Sequence, residues 1–161
     1  MREPRLGIDI GRVIIGGDGD DTSFLDGDEA AAMAAPAVDG AFAAIAELWL
    51  RFDGNVWLVS KAGPRIAART RDWLDAHDFF AATGMPRDRL RFCRQRREKA
   101  DHALELELTH FIDDRFDVLQ YLEGLVPYRF LFGPQRRTYP PQSTLFCVRD
   151  WKALMHVITG T

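Results

Sequence analysis

The chain has 161 residues and a mass of 18.3 kDa, which is the size of one domain with a complete hydrophobic core. Its net charge is -3 and 28% of its residues are charged, so the composition excludes a disordered or membrane-embedded chain. No apolar segment reaches the length of a membrane span. We therefore expect a single cytoplasmic domain over residues 1–161.

Cysteines and basic residues limit the partners of the chain. Cys93 and Cys147 are far apart and fit no metal-ligand spacing, so we expect both to be buried, reduced thiols. A protein that binds the phosphates of nucleic acid is normally more basic, so we expect no nucleic-acid partner. The composition is compatible with a nucleotide as a ligand. Basic residues do cluster at 87–99 and 136–137, and we interpret both clusters as solvated surface.

Short apolar segments alternate with amphipathic helical segments along the chain, a pattern typical of a parallel α/β sheet. The predicted strands are 5–10, 55–60, 89–93, 109–113 and 128–132. The predicted helices are 38–51, 64–77, 99–106, 116–125 and 149–158. We expect a three-layer, Rossmann-like fold, with a central parallel sheet and helices on both faces.

Two segments are rich in residues that form turns. Residues 16–29, after the first strand, are mostly Gly and Asp, and they predict an exposed flap that extends over about residues 12–35. The acids of this flap do not have the spacing of an EF-hand calcium loop. Residues 133–143 contain three prolines and two arginines, and they predict a second exposed loop.

Polar side chains stand at the ends of three predicted strands. Asp9 ends the first strand, Ser60 the second, and Asp113 with Asp114 the fourth. Ligands of parallel sheets bind at the carboxyl ends of strands, and the second and fourth strands can flank the first. Adjacent acids are costly unless a cation neutralises them, and Mg²⁺ takes carboxylate oxygens readily. The sequence therefore favours a magnesium site at this edge.

Each residue alone also has an ordinary structural explanation. Ser60 can be a helix N-cap, Lys99 a surface charge, and Asp113 with Asp114 the acidic start of a helix. Their joint occurrence at strand ends favours a functional site. We expect the four histidines to be structural: His77, His102, His110 and His156.

This ordered set of motifs resembles the haloacid dehalogenase-like (HAD) superfamily over nearly the whole chain. The first HAD motif, a strand ending in Asp-x-Asp, corresponds to Asp9-Ile10-Gly11, the second to Ser60, the third to Lys99 and the fourth to Asp113-Asp114. The resemblance implies phosphoryl transfer with Asp9 as the nucleophile and Lys99 as a second catalytic residue.

The same resemblance implies the binding roles of the site. The phosphoryl oxygens would be held by Ser60, Lys61 and Lys99. Mg²⁺ would be held by Asp9, Asp113, Asp114 and the backbone carbonyl of Gly11. Arg12, Arg65 and Arg115 lie near the same edge and are further candidates for binding substrate anions.

The chain departs from the HAD pattern at Gly11, where phosphatases of the superfamily carry a second acid. That acid protonates the leaving group and activates water, and such help contributes about 10²–10⁴-fold. Three interpretations remain open. The substrate has a good leaving group, the flap supplies an acid (Asp18, Asp20 or Asp21), or the domain binds phosphate without turnover.

The intervals between the motifs have no room for a large cap domain. We therefore expect a site that is open to a phosphorylated substrate of any size, from a small metabolite to a nucleotide or a macromolecule, unless a second copy of the chain closes it. The first motif also looks like a phosphate motif of sugar kinases and actin-like ATPases, but those folds need two domains. A receiver-like or flavodoxin-like domain would leave Ser60 and Lys99 without a role.

Overall fold

The computed structural model describes residues 3–160, so both ends of the predicted domain, residues 1–2 and 161, lie outside it. These residues form a six-stranded parallel sheet with helices on both faces, which confirms the predicted fold class. The strands are β1 (Leu6–Ile8), β2 (Val56–Lys61), β3 (Leu90–Cys93), β4 (His110–Asp113), β5 (Tyr128–Phe132) and β6 (Leu145–Val148). The helices are α1 (Glu29–Met33), α2 (Ala41–Arg51), α3 (Pro64–Ala76), α4 (Phe79–Thr83), α5 (Lys99–Glu105), α6 (Phe116–Tyr121) and α7 (Trp151–Thr159).

The order of the strands places β1 between the two other strands that carry candidate site residues. The order is β3-β2-β1-β4-β5-β6, so β2 and β4 flank β1 as predicted. Ile8 is in register with Leu58 of β2 and with Ile112 of β4. The residues that follow Ile8 and Ile112 are Asp9 and Asp113, which therefore reach the carboxyl edge of the sheet at the same level.

Each face of the sheet has its own hydrophobic core. Side chains alternate between the two faces of a strand, and in β2 Val56 and Leu58 pack on one side while Trp57 and Val59 pack on the other. The first core includes side chains of α2, α3, α4 and α7, and the second includes side chains of α5 and α6. Residues 3–160 contain no helix with the length and apolarity that a bilayer crossing requires.

The sequence did not predict β6, α1 or α4. β6 lies at the edge of the sheet, pairs only with β5, and leaves three of its four residues partly or fully exposed. An edge strand of this kind has a weaker apolar pattern than a central one. Cys147, in β6, is exposed, so the expectation that both cysteines are buried was wrong for this residue, whereas Cys93 is buried.

The flap is more closely packed than its sequence indicated. Its Leu25 is completely buried, and Asp21 is 7% exposed. Arg69 of α3 donates hydrogen bonds to the carbonyl oxygens of Leu25 (2.8 Å) and Gly27. Residues between β1 and α2 form a short 3-10 turn, α1, connecting loops and two isolated β-bridges, and no large cap domain is present in the described chain.

Candidate active site

A buried lysine joins two of the predicted carboxylates. Asp9 directly follows β1, Asp113 ends β4, and Lys99 is the first residue of α5. The Lys99 Nζ donates hydrogen bonds to Asp9 Oδ1 (3.0 Å) and to Asp113 Oδ2 (2.8 Å). Each of these three residues is at most 2% exposed. Lys99 is therefore not a surface charge, and the fold brings together residues that are up to 104 positions apart.

A third carboxylate completes a group that fits a divalent cation. One oxygen each of Asp9, Asp113 and Asp114 lies within 4.8 Å of the others, and Asp114 Oδ1 is buried without a hydrogen-bond partner among the described residues. Three carboxylates and one ammonium leave two negative charges in excess when all are ionised. Burying such an excess is costly, and a hard cation that prefers oxygen ligands offsets it. The donor set therefore fits Mg²⁺.

Burial changes the ionisation of this cluster. Burial is the largest cause, and with a neighbouring carboxylate it raises the pKa of Asp9 and of Asp113 to about 7 and that of Asp114 to about 6, although the Lys99 charge lowers each of them. Burial alone would lower the pKa of Lys99, but Asp113 and Asp9 outweigh it, and the pKa lies above its ordinary value. The lysine therefore stays charged, while the carboxylates change protonation near neutral pH.

Ser60 carries a hydroxyl that nothing in the described chain satisfies. The residue is completely buried in β2, beside β1, and its Oγ has no hydrogen-bond partner there. It is not a helix cap, because Gly63 occupies the N-cap position of α3. An unsatisfied buried polar group costs about 1–3 kcal/mol. A ligand oxygen at the carboxyl edge would supply the missing partner.

The flap backbone occupies the space beside Gly11. A Cβ atom at position 11 would lie 2.0 Å from the carbonyl oxygen of Asp21 and 2.4 Å from its carbonyl carbon. Glycine is therefore the residue that permits this close approach of two backbone segments. A second acid at this position would require the flap to move. The role of the Gly11 carbonyl as a metal ligand stays a prediction.

Ion pairs hold the flap against the site. Arg96 donates two hydrogen bonds to Asp21, from Nη2 to Oδ2 (2.8 Å) and from Nε to Oδ1 (3.3 Å). The Lys61 Nζ lies 3.6 Å from Asp21 Oδ2, and Arg115 Nη1 donates to Asp20 Oδ1 (2.8 Å). Asp20 and Asp21, two of the acids considered for proton donation, are thus hydrogen-bond acceptors of arginines.

The remaining candidates lie at varying distances from the cluster. Arg12 is beside it, with Nε 3.6 Å from Asp114 Oδ2, whereas Arg65 forms an exposed ion pair with Asp26. Two histidines have the expected structural contacts: His77 stacks on Trp73, and His110 stacks on aromatic rings.

Arg96 is the site residue that the sequence did not single out. It belongs to the basic segment 87–99, which was interpreted as solvated surface. Instead its guanidinium pairs with Asp21, which is 75 residues away in the sequence. The cluster of basic residues was the available signal, but spacing alone does not select one arginine from that cluster.

Comparison with known proteins identifies solved structures that have a similar fold. No protein-family model matches the chain, and no curated protein matches its sequence. A D,D-heptose 1.7-bisphosphate phosphatase from B. bronchiseptica, crystallised with magnesium and phosphate, superposes with a TM-score of 0.67 at 17% identity, covering 97% of this chain and 98% of that one. The chain shares the fold of this phosphatase. A haloacid dehalogenase-like hydrolase from Xanthomonas campestris gives a TM-score of 0.61 at 13% identity, over 81% of this chain and 58% of that one.

Proposed function

We propose that the chain is a magnesium-dependent HAD-like phosphohydrolase with Asp9 as its nucleophile. The observation that carries this proposal is the buried cluster of Asp9, Asp113, Asp114 and Lys99 at the carboxyl edge of the sheet. The unsatisfied hydroxyl of Ser60 on the neighbouring strand supports it. The phosphatase of similar fold that was crystallised with magnesium and phosphate supports the choice of cofactor and ligand.

The reaction has two displacements at phosphorus. An Asp9 carboxylate oxygen attacks phosphorus, and the bond from phosphorus to the leaving-group oxygen breaks, with the electron pair going to that oxygen. Water then attacks the aspartyl phosphate at phosphorus, and the bond from phosphorus to the Asp9 oxygen breaks. The Asp9 carboxylate is restored, and both protons of the water leave with the dihydrogen phosphate. The enzyme is unchanged after one ester bond has been hydrolysed.

The other residues hold the phosphoryl group in place. Lys99 Nζ and Ser60 Oγ donate hydrogen bonds to its oxygens, and Lys61 adds a positive charge at the mouth of the site. Asp9, Asp113, Asp114 and the Gly11 carbonyl would hold Mg²⁺, which when bound supplies charge stabilisation to the phosphoryl oxygens. Lys99 also orients Asp9, because its ammonium is bonded to Asp9 Oδ1.

The substrate of this site has a leaving group that departs without a proton. The flap backbone, rather than a second acid, lies beside Gly11, and Asp20 and Asp21 are engaged by arginines. Without general-acid help of about 10²–10⁴-fold, esters of ordinary alcohols react slowly. Aryl phosphates and acyl phosphates, which release stable anions, fit the site better.

Phosphate release tests the proposal directly. The purified protein should release phosphate from acetyl phosphate and p-nitrophenyl phosphate only with Mg²⁺, and Asp9→Asn should abolish the release because it removes the nucleophile. Asp101→Asn, which changes an exposed carboxylate on α5, is the matched control and should retain activity within about twofold. Magnesium-dependent release that persists in Asp9→Asn would contradict the proposal.

A second function has support from the backbone contact at Gly11. If that position permanently excludes an acid, the domain binds phosphoryl groups without turnover. Beryllium fluoride, which imitates an aspartyl phosphate, would then bind with Mg²⁺ to the unmodified chain and not to Asp9→Asn, while no phosphate ester is hydrolysed. Fluorine NMR of the bound beryllium fluoride distinguishes this outcome from an unfolded or empty site.

A further inference from the structure

A cavity of about 490 Å³ opens beside the carboxylate cluster. It lies between the flap, the start of α6 and the loop that follows β5. Its charged lining consists of Arg12, Arg115, Arg136, Arg137, Asp20, Asp114 and Asp117. Asp114 belongs both to the carboxylate cluster and to the wall of this cavity. A ligand whose phosphoryl group sits at the cluster can therefore extend into the cavity.

The carboxylates of the cavity already have cationic partners. Arg115 donates to Asp20 Oδ1 (2.8 Å) and to Asp117 Oδ1 (3.0 Å), while Arg12 lies 3.6 Å from Asp114. By contrast, no residue in the described part of the chain forms a side-chain hydrogen bond or ion pair with Arg136 or Arg137. These two guanidinium groups leave an uncompensated positive charge on one wall.

The loop that carries these arginines is anchored. Between β5 and β6, the Gln135 side chain donates to the carbonyl oxygens of Asp114 (3.0 Å) and Phe132 (3.3 Å). The Tyr139 ring stacks on Phe116 of α6 with 3.8 Å between ring centroids. Anchoring of this kind reduces the ordering that a bound ligand would have to impose on the wall.

We propose that this cavity binds a second anionic group, a phosphate or a carboxylate, carried by the leaving group of the substrate. The inference rests on the proposed function, because it places the first phosphoryl group at the carboxylate cluster. Guanidinium groups bind both kinds of oxyanion through paired hydrogen bonds. Arg136 and Arg137 are both exposed, so water solvates them beside an uncharged leaving group, and we expect a second anionic group on the leaving group to tighten binding.

Binding of phosphonates tests this selectivity, since these probes are not hydrolysed. Alkylphosphonates with three to six carbons, ending in methyl, carboxylate or a second phosphonate, are titrated calorimetrically into the magnesium-loaded protein. We expect an anionic end to tighten binding about tenfold over the methyl-ended probe at the best length. Arg136→Ser combined with Arg137→Ser should remove that gain and change the affinity for the methyl-ended probe less than about twofold.

A second double variant controls for long-range charge. Arg149→Ser with Lys152→Ser also removes two positive charges, one just before α7 and one within it, and should preserve the gain because both residues lie outside the cavity lining. A larger gain from phosphonate or from carboxylate supports the proposal and identifies the preferred anion. Equal binding of methyl-ended and anion-ended probes at every length would overturn it, as would a gain that survives in the Arg136 and Arg137 variant.

The outcome separates this inference from the proposed function. If the protein binds anion-ended phosphonates selectively but releases no phosphate, the proposed hydrolase function is wrong and the proposed anion site in the cavity is supported. If the protein releases phosphate but binds methyl-ended and anion-ended phosphonates equally, the hydrolase function is supported and the anion site is wrong. If a folded, magnesium-loaded protein binds none of the phosphonates, the proposal of an anion site in the cavity is also wrong.

Discussion

At position 11, a flap carbonyl and any side chain larger than hydrogen would occupy the same space. A Cβ atom there would lie 2.0 Å from the Asp21 carbonyl oxygen, far inside the contact distance of two non-bonded atoms. An acid placed there by mutation cannot simply restore a proton donor. The flap would first have to give up its contacts, including the hydrogen bonds between Arg96 and Asp21.

Replacing Gly11 by alanine tests this packing. We expect Gly11→Ala to lower the free energy of unfolding by about 1–3 kcal/mol, because a methyl group is forced into a filled space. Urea denaturation measures the change. Gly27→Ala is the matched control in the same flap, since a Cβ at position 27 meets no atom within 4 Å. Equal stability of Gly11→Ala and the unmodified chain would contradict the close approach.

Single residues differ in how far the sequence alone identifies them. Asp9, Ser60 and Asp113 could be predicted because each stands at the end of an apolar strand, and the order of parallel strands brings such ends together. The pair of Arg96 and Asp21 could not be predicted, because two exposed-looking charges that are distant in sequence carry no pattern. The same limit applies to the contact of Gly11 with the flap.

Within β4, His110 occupies an aromatic environment. Its ring is stacked on Tyr128 and on Phe130, with ring centroids 4.8 Å and 6.2 Å apart, and contacts Phe52 edge to face at 5.1 Å. Burial lowers the pKa of His110 to about 4. The folded chain therefore keeps this ring neutral at pH values where the unfolded chain protonates it.

This difference predicts a loss of stability in acid. The pKa of His110 is lowered on folding, so its contribution is complete above about pH 6.5 and is lost as the pH falls towards 4. We expect a loss of about 1–2 kcal/mol, discounted from the full shift because the ring is partly exposed. His110→Phe should remove this part of the pH dependence in urea denaturation between pH 7 and pH 4. His156→Gln, at an exposed position, should not.

Elements with strong local patterns could be predicted, and those defined by their neighbours could not. The strands from β1 to β5 and the helices α2, α3, α5, α6 and α7 follow apolar periodicity in the sequence. β6 becomes a strand by pairing with β5, and its own pattern is short because it is an edge. The packed part of the flap depends likewise on Arg69 of α3, which no flap residue indicates.

At the scale of the whole molecule, the stability of the fold depends on the protonation of the carboxylate cluster and on the binding of the proposed cation. With raised carboxyl pKa values, the folded chain retains protons that the unfolded chain has lost, so these groups oppose folding increasingly as the pH rises from about 4 to 7. A cation that binds the ionised carboxylates reverses this cost. Its contribution to stability grows with its affinity for the folded chain.

Mg²⁺ should therefore raise the melting temperature more at pH 8 than at pH 5.5. At pH 5.5 protons compete for Asp9 and Asp113, whose pKa is about 7, and for Asp114, whose pKa is about 6, whereas at pH 8 all three are ionised. Thermal denaturation with and without Mg²⁺ at both pH values measures the effect. Asp114→Asn should reduce the shift at pH 8 because it removes one ligand, while Asp101→Asn should preserve it. An equal shift at both pH values would show that the cation binds elsewhere.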